Sequence, residues 1–449
     1  MVLILPIYLS TYLSTMSRPQ TRWIVIFAIL VILQLLVLFN AGNPISDAAD
    51  TIDKADTAWM IVATAFVLFM TPGLSFFYGG MVSFKNVIST MLQSFIALGV
   101  ISLLWYLVGF SLAFGDSIGG IIGDPRTYFA FNNVGLNPHP AFSPTFPFLL
   151  FALFQLKFAI ITPALITGSF AERVKFTSYL IFMCLFSLLI YCPLAHWTWH
   201  PDGFLRQWGV LDFAGGTVVH MSAGFAALAG AYILGKRENK EHHPANVPFI
   251  ILGTGMLWFG WFGFNAGSAL AANGLAVQAF ATTNMASASA MITWVMFDAL
   301  VGRKISAMGA CIGAVVGLVA ITPGAGFVNL GQSVFIGFVA AIVSNLAVYY
   351  KQKTSLDDTL DVFPCHGLGG ITGMILTAVF AKDVGLVYGQ FDTFKYHLIA
   401  LLIVGVFTFG GSYLIFKITS MITHMRVSPD DERLGLDLSQ HAETMEPTR

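Results

Sequence analysis

Charge is scarce in this chain: Asp, Glu, Lys and Arg make up 10% of its 449 residues, against roughly 25% in soluble domains. That excludes an ordinary water-soluble fold. The 22 basic and 23 acidic residues nearly cancel, and no long basic run occurs, which excludes nucleic acid as a partner because phosphate binding depends on clustered Lys and Arg. Cysteine is equally thin. Cys184, Cys192, Cys311 and Cys365 fall in apolar stretches, without a CxxC pair or a disulfide framework. HExxH is missing, and a metalloenzyme built on His220, His366, Asp212 and Cys365 would need at least three convergent ligands. The chain therefore reads as neither an enzyme nor a metal or cofactor protein.

What is abundant is apolar: 56% of residues are hydrophobic, with 41 Phe and 43 Gly and a mean hydropathy of +0.77. Runs of about 20 apolar residues are long enough to cross a bilayer as helices. They lie near 57–79, 86–113, 145–167, 175–197, 214–234, 247–266, 276–300, 305–322, 331–350, 364–381 and 396–424. The expected fold is an all-α polytopic membrane protein of about eleven transmembrane helices. A further run at 23–39 follows Arg18 and Arg22 and precedes Asn40-Ala41-Gly42. Residues 1–45 thus read as a signal peptide or an extra hydrophobic segment, 57–424 as the membrane domain and 425–449 as a polar tail.

One set of connecting loops carries Lys85, Arg173, Lys175, Lys236, Arg237, Lys240, Arg303, Lys304, Lys351 and Lys353, and the tail adds Arg426 and Arg433; the opposite set carries only Arg126, Arg206, Lys382 and Lys395. By the positive-inside rule the first mature span starts outside and the tail is cytoplasmic. Small residues spaced four apart, as in Gly309, Gly313 and Gly317, let helices pack closely in lipid.

Two imidazoles stand inside this apolar setting. His220 lies in DFAGGTVVH and His366 in DVFPCHG, on the fifth and tenth spans, each after an aspartate-containing lead-in. Ionisable groups at membrane depth mark ion, proton or substrate paths. Two successive blocks of five spans have opposite topology, so a five-plus-five inverted repeat follows, with the site between the halves and the last span as a brace. Asp212 is a helix cap or a charge that favours nearby cations. Asp358 and Asp361 precede the other histidine span, Asp361 within the motif that matches the first, and helix capping or cytoplasmic-vestibule structure is the expected role of both.

Six segments, MTPGLSFFYGGMV, FQLKFAIITPALITGSFAER, DFAGGTVVH, WFGFNAGS, DVFPCHG and GLDLSQHAE, resemble in their order the ammonium transporter family, its Amt/Mep branch more than its Rh branch. The resemblance implies a homotrimer in the plasma membrane with one pore per subunit. It implies an outer ammonium-recruitment site of Phe158, Trp199 and Ser268, a gate of Phe158 and Phe264, and the pore pair His220 and His366. HWTWHPDG offers Trp197 as well as Trp199. Lys157, next to Phe158, is turned about 100° away on a helix and is expected to snorkel outward. The tail resembles one that packs under neighbouring subunits and takes part in docking a P-II nitrogen-regulatory protein; a merely solvated tail is the plainer reading. An ammonium-sensing receptor with little net flux is the alternative function.

Overall fold

The computed structural model describes residues 24, 27–32, 34–35, 51–239 and 243–445. The leader assigned to 1–45 therefore lies almost entirely outside the described residues. Among them, nine helices are long and apolar enough to cross a membrane: α1 (Lys54–Met81), α2 (Phe84–Phe114), α3 (Phe148–Phe170), α4 (Phe176–Gln207), α5 (Gly216–Leu234), α6 (Val247–Ala269), α9 (Leu330–Gln352), α10 (Phe363–Phe380) and α11 (Asp392–Ile422). The other two expected spans form helices that fall short of that standard. Helix α7 (Gly274–Leu300) is diluted by Thr282, Thr283, Ser287 and Asp298, and α8 (Ala307–Ile321) has only 15 residues.

Local sequence explains the starts. Asp53 caps α1 through Ala55 and Asp56 N–H groups, Asn246 caps α6, Asn273 caps α7, Ser306 caps α8, and Asn329 forms a capping box with Gln332 on α9. Each supplies an acceptor for amides that a helix start leaves unpaired.

Packing follows the small residues. Helix α1 lies along α6, where a Cβ added at Gly253 would stand 2.3 Å from the Phe77 nitrogen and one at Gly263 would stand 2.6 Å from the Ala63 carbonyl. Helix α5 meets α10 where a Cβ on Gly224 would stand 2.3 Å from the Gly367 Cα. The final helix α11 stacks Phe416 on Phe182 of α4 at 4.0 Å between centroids and brings Gly405 against Phe225 of α5.

The loops expected to be cytoplasmic share a buried charged layer. Arg237 bonds Glu172 (2.7 Å) and Asp357 (3.0 Å), with all three side chains at most 6% exposed. Glu172 also accepts from the Ser83 amide, and Arg173 donates to Thr359 and to the Asp357 carbonyl. Two of the basic residues that mark this face in the sequence are thus structural.

The tail is not a solvated appendage. It forms α12 (Pro429–Leu434) and α13 (Leu436–His441). Asp437 accepts from the Ile88 and Ser89 amides at the start of α2, and Gln440 accepts from the Phe176 amide at the start of α4. Gly435 between the two short helices has φ +101° and would drive a Cβ to 2.6 Å from the Lys85 carbonyl, so glycine is required there.

Burial opposes ionisation of Asp357, but hydrogen bonds from Arg237 outweigh it and hold the carboxyl at about 2. A depressed folded-state value stabilises above the unfolded value of about 3.9 and is lost as pH falls through that range. Thermal unfolding midpoints of the solubilised protein should therefore drop between about pH 4 and pH 2. Arg237→Met, which leaves two buried carboxylates without their common cation, should lower stability by about 3–5 kcal/mol at neutral pH.

Candidate functional site

The sequence-predicted residues converge on one line through the molecule. At the end expected to face outward is a cavity of about 300 Å³ whose walls include Phe158, Trp199, Ser268, Asp212 and Gln155. The choice between the two tryptophans is resolved by their contacts. The Trp197 indole donates to the Ile121 carbonyl and its ring packs on Phe407, whereas Trp199 lines the cavity and meets Phe158 edge-on at 5.8 Å. The Trp199 indole N–H donates to the Asp212 carbonyl, and the Ser268 hydroxyl donates to the Phe264 carbonyl. Lys157 is not part of the cavity wall.

Beneath the cavity floor the rings continue. Phe158 and Phe264 are 4.1 Å apart between centroids and at most 1% exposed. The Phe264 ring is 6.1 Å from the His220 imidazole, and His220 is 5.4 Å from His366. The two Nδ1 atoms stand 3.3 Å apart, so one carries the proton and the other accepts it. His220 Nε2 is buried and has no partner among the described residues. His366 in turn lines a second, small cavity of about 10 Å³ with Tyr78, Phe77, Leu360 and Cys365. From one cavity to the other the path is aromatic and narrow.

The matching positions of the two histidines have a common local cause. Asp212 Oδ1 accepts from the Gly216 amide and Oδ2 from the Thr217 amide, four and five residues on. Asp358 does the same with the Val362 and Phe363 amides. Each carboxylate caps a wide opening turn, Gly216–Met221 on α5 and Phe363–Gly367 on α10. The residue three after each aspartate is left-handed, Gly215 at φ +116° and Asp361 at φ +58°. Each histidine then falls eight residues after its aspartate. Asp212 is thus a helix cap, and the counterpart of Asp212 is Asp358, not Asp361 as the motif suggested. Asp361 instead forms an ion pair with Lys351 at 2.6 Å.

Wide turns of this kind recur at functional sites because they re-aim side chains. Here they sit where α5 and α10 are in backbone contact. Gly224 is one helical turn past His220 and Gly367 is next to His366, so their close approach brings the imidazoles together.

Sequence reasoning missed several residues of the line. The Trp261 ring stacks on His220 at 5.3 Å and its indole donates to Thr322; Gln155 lines the outer cavity. Both lie three residues before a predicted phenylalanine, on the same helix face. Tyr78 next to His366 donates to the Leu165 carbonyl, and only the fold brings it there. Among the described residues no group of three or more His, Cys, Asp or Glu side chains is arranged to hold a metal.

A model of the Ammonium Transporter Family matches residues 58–446. The chain is 44% identical over 417 residues to an ammonium transporter of Aquifex aeolicus, covering 91% of this chain and 97% of that one. It is 42% identical over 400 residues to an ammonium transporter of Bacillus subtilis, covering 86% and 97%. Among solved structures, Saccharomyces cerevisiae Mep2 superposes with a TM-score of 0.81 at 33% identity over 89% of this chain and 95% of that one. A sensor Amt protein superposes with a TM-score of 0.80 at 31% identity over 86% and 98%.

Asparagine has one acceptor oxygen where aspartate has two, so Asp212→Asn and Asp358→Asn each strand buried amides. Each should lower stability by about 1–3 kcal/mol, measured by thermal unfolding of the solubilised protein. The larger penalty should fall on Asp212→Asn, because Asp212 accepts from the Gly215, Gly216 and Thr217 amides and the Thr217 hydroxyl, whereas Asp358 accepts from the Val362 and Phe363 amides.

Proposed function

Because the chain belongs to the ammonium transporter family, we propose that it recruits ammonium in the outer cavity, removes one proton near the ring pair and passes ammonia along the histidine line. The observation that carries this reading is the continuous ring path from Trp199 through Phe158, Phe264 and His220 to His366. Phe158, Trp199 and Ser268 form the recruitment site. Aromatic faces and a hydroxyl replace part of the ion's hydration, with cation–π attraction of about 1–2 kcal/mol when desolvated. Phe158 and Phe264 form the gate. Asp212, beyond its capping role, adds negative charge beside the recruited cation.

Magnitudes favour deprotonation. Taking an unpaired ion of this size into an apolar interior costs many kcal/mol, whereas neutral ammonia gives up only a few hydrogen bonds. If ammonium resembles a lysine ammonium with pKa about 10, well under 1% is neutral at pH 7. Capturing the abundant cation outside answers that shortage. His220 and His366 offer a small polar molecule both a donor and an acceptor, and a route for a proton. Transport carries charge if the proton crosses as well, and is neutral if it is released outside.

The wider assembly follows from the same reading. The eleven-helix count includes α7 and α8, and the pairing of α1 with α6 and of α5 with α10 supports a five-plus-five inverted repeat with α11 as the brace. Residues 57–424 are the membrane domain and 425–449 the tail. The protein is a homotrimer of the plasma membrane, with the first mature span starting outside and the tail in the cytoplasm. That tail takes part in docking a P-II nitrogen-regulatory protein. Sensing without flux is the second reading, favoured by the likeness to the sensor Amt protein.

Proteoliposomes bearing the protein on a solid-supported membrane should give ammonium-specific current, or ammonia-driven internal alkalinisation above that of empty liposomes. His220→Ala should reduce the ammonium response by about 100-fold or more, the lower range for a lost proton-transfer group. Intact trimers that bind ammonium yet give neither signal would move the assignment to sensing. Pull-down of P-II should weaken on deletion of residues 426–449; equal capture would remove the tail from the docking site.

A further inference from the structure

The outer cavity wall carries one charged side chain that the transport scheme does not use. This is Arg206, in the last turn of α4, Phe204–Gln207. That turn is locked in place. A Cβ on Gly203 before it would stand 2.1 Å from the His196 carbonyl, and Gln207 donates to the Pro201 carbonyl at 2.6 Å. The guanidinium Nη1 donates to the Trp199 carbonyl at 3.1 Å. The carboxylate on the same wall, Asp212, has its acceptor sites filled by the Gly215, Gly216 and Thr217 amides and the Thr217 hydroxyl but keeps its negative charge, so Arg206 is the opposing charge on this wall.

We propose that Arg206 is a specificity-determining residue of the outer cavity, where its fixed positive charge grades entering cations by charge number and disfavours divalent ions more than ammonium. This rests on the reading that the outer cavity receives ammonium. A cavity of 300 Å³ is about 8 Å across, so any ion inside it lies within roughly one Debye length of the wall at physiological salt. At about 8 Å, in surroundings between bulk water and half its dielectric constant, two unit charges repel enough to weaken binding roughly two- to five-fold. For a divalent ion the repulsion doubles and the factor is squared. A monovalent substrate is mildly penalised and Mg²⁺ or Ca²⁺ strongly, at a site whose aromatic faces would otherwise attract any cation.

The test separates charge from positioning, because glutamine retains an N–H donor for the Trp199 carbonyl and lysine retains the charge. Initial rates of ammonium entry into proteoliposomes of the full chain are measured against ammonium concentration, at low ionic strength and in about 1 M NaCl, where the Debye length is about 3 Å. Arg206→Gln should lower KM about two- to five-fold at low salt with the maximal rate unchanged, lose that difference at high salt, and be inhibited by Mg²⁺ more strongly than wild type. Arg206→Lys should keep the wild-type KM, salt dependence and resistance to Mg²⁺. An Arg206→Gln variant with wild-type KM and Mg²⁺ sensitivity overturns the proposal, as does a raised KM at both salt concentrations, which would mean that the arginine only positions Trp199. A wild-type protein without saturable ammonium entry overturns the underlying reading of the cavity, and the inference with it.

Discussion

Two buried carboxylates set the geometry on which the line depends. A helix that begins inside a membrane protein presents amides with no intrahelical partner, and lipid offers none. Asp212 and Asp358 solve this for α5 and α10 by accepting from the amides four and five residues on. The capped turns are wide, and each delivers a histidine eight residues after its aspartate. The glycine contact between Gly224 and Gly367 then fixes the distance between the two helices. Imidazole pairing is therefore a result of how backbone amides are satisfied at two helix starts.

The polar groups are segregated by task. Along the path, the rings of Phe158, Phe264, His220 and His366 leave little room and few hydrogen-bond partners. At one end of the bundle, Arg173, Glu172, Arg237 and Asp357 form a closed network that neutralises its own charges. That network joins the α1–α2, α3–α4, α5–α6 and α9–α10 connections, so these four loops form one layer. The tail adds to the same layer through Asp437 and Gln440.

Much of this was legible in the sequence, for reasons that differ by element. The spans announced themselves through their apolar runs, α7 and α8 included, although the polar content of the one and the shortness of the other place them below the standard that the other nine meet. His220 and His366 were legible because ionisable residues in apolar stretches are rare. Phe158, Phe264 and Trp199 were legible only through the resemblance of their segments, since no pattern separates three aromatic residues from the chain's many others. Asp358 and Asp361 were both legible as capping candidates before the second histidine span; hydrogen bonding, not motif spelling, identifies Asp358 as the counterpart of Asp212. Trp261 and Gln155 carried a signal in their helical spacing from Phe264 and Phe158. Tyr78 carried none, because its neighbour His366 lies almost three hundred residues away in the chain.

The pairing of α1 with α6 also bears on how the protein is made. Synthesis runs from the N-terminus, so α1 enters the bilayer long before the helix whose glycines receive it. Helices α2 to α5 emerge in the interval, and α5 likewise waits for α10. Neither half can complete its own interior and hand over a finished unit. The first-half helices pack on one another, but α1 and α5 each keep a face open in lipid until the second half arrives, and the two histidines meet only near the end of synthesis, when nearly all of the membrane-embedded structure is already present to exclude a leak.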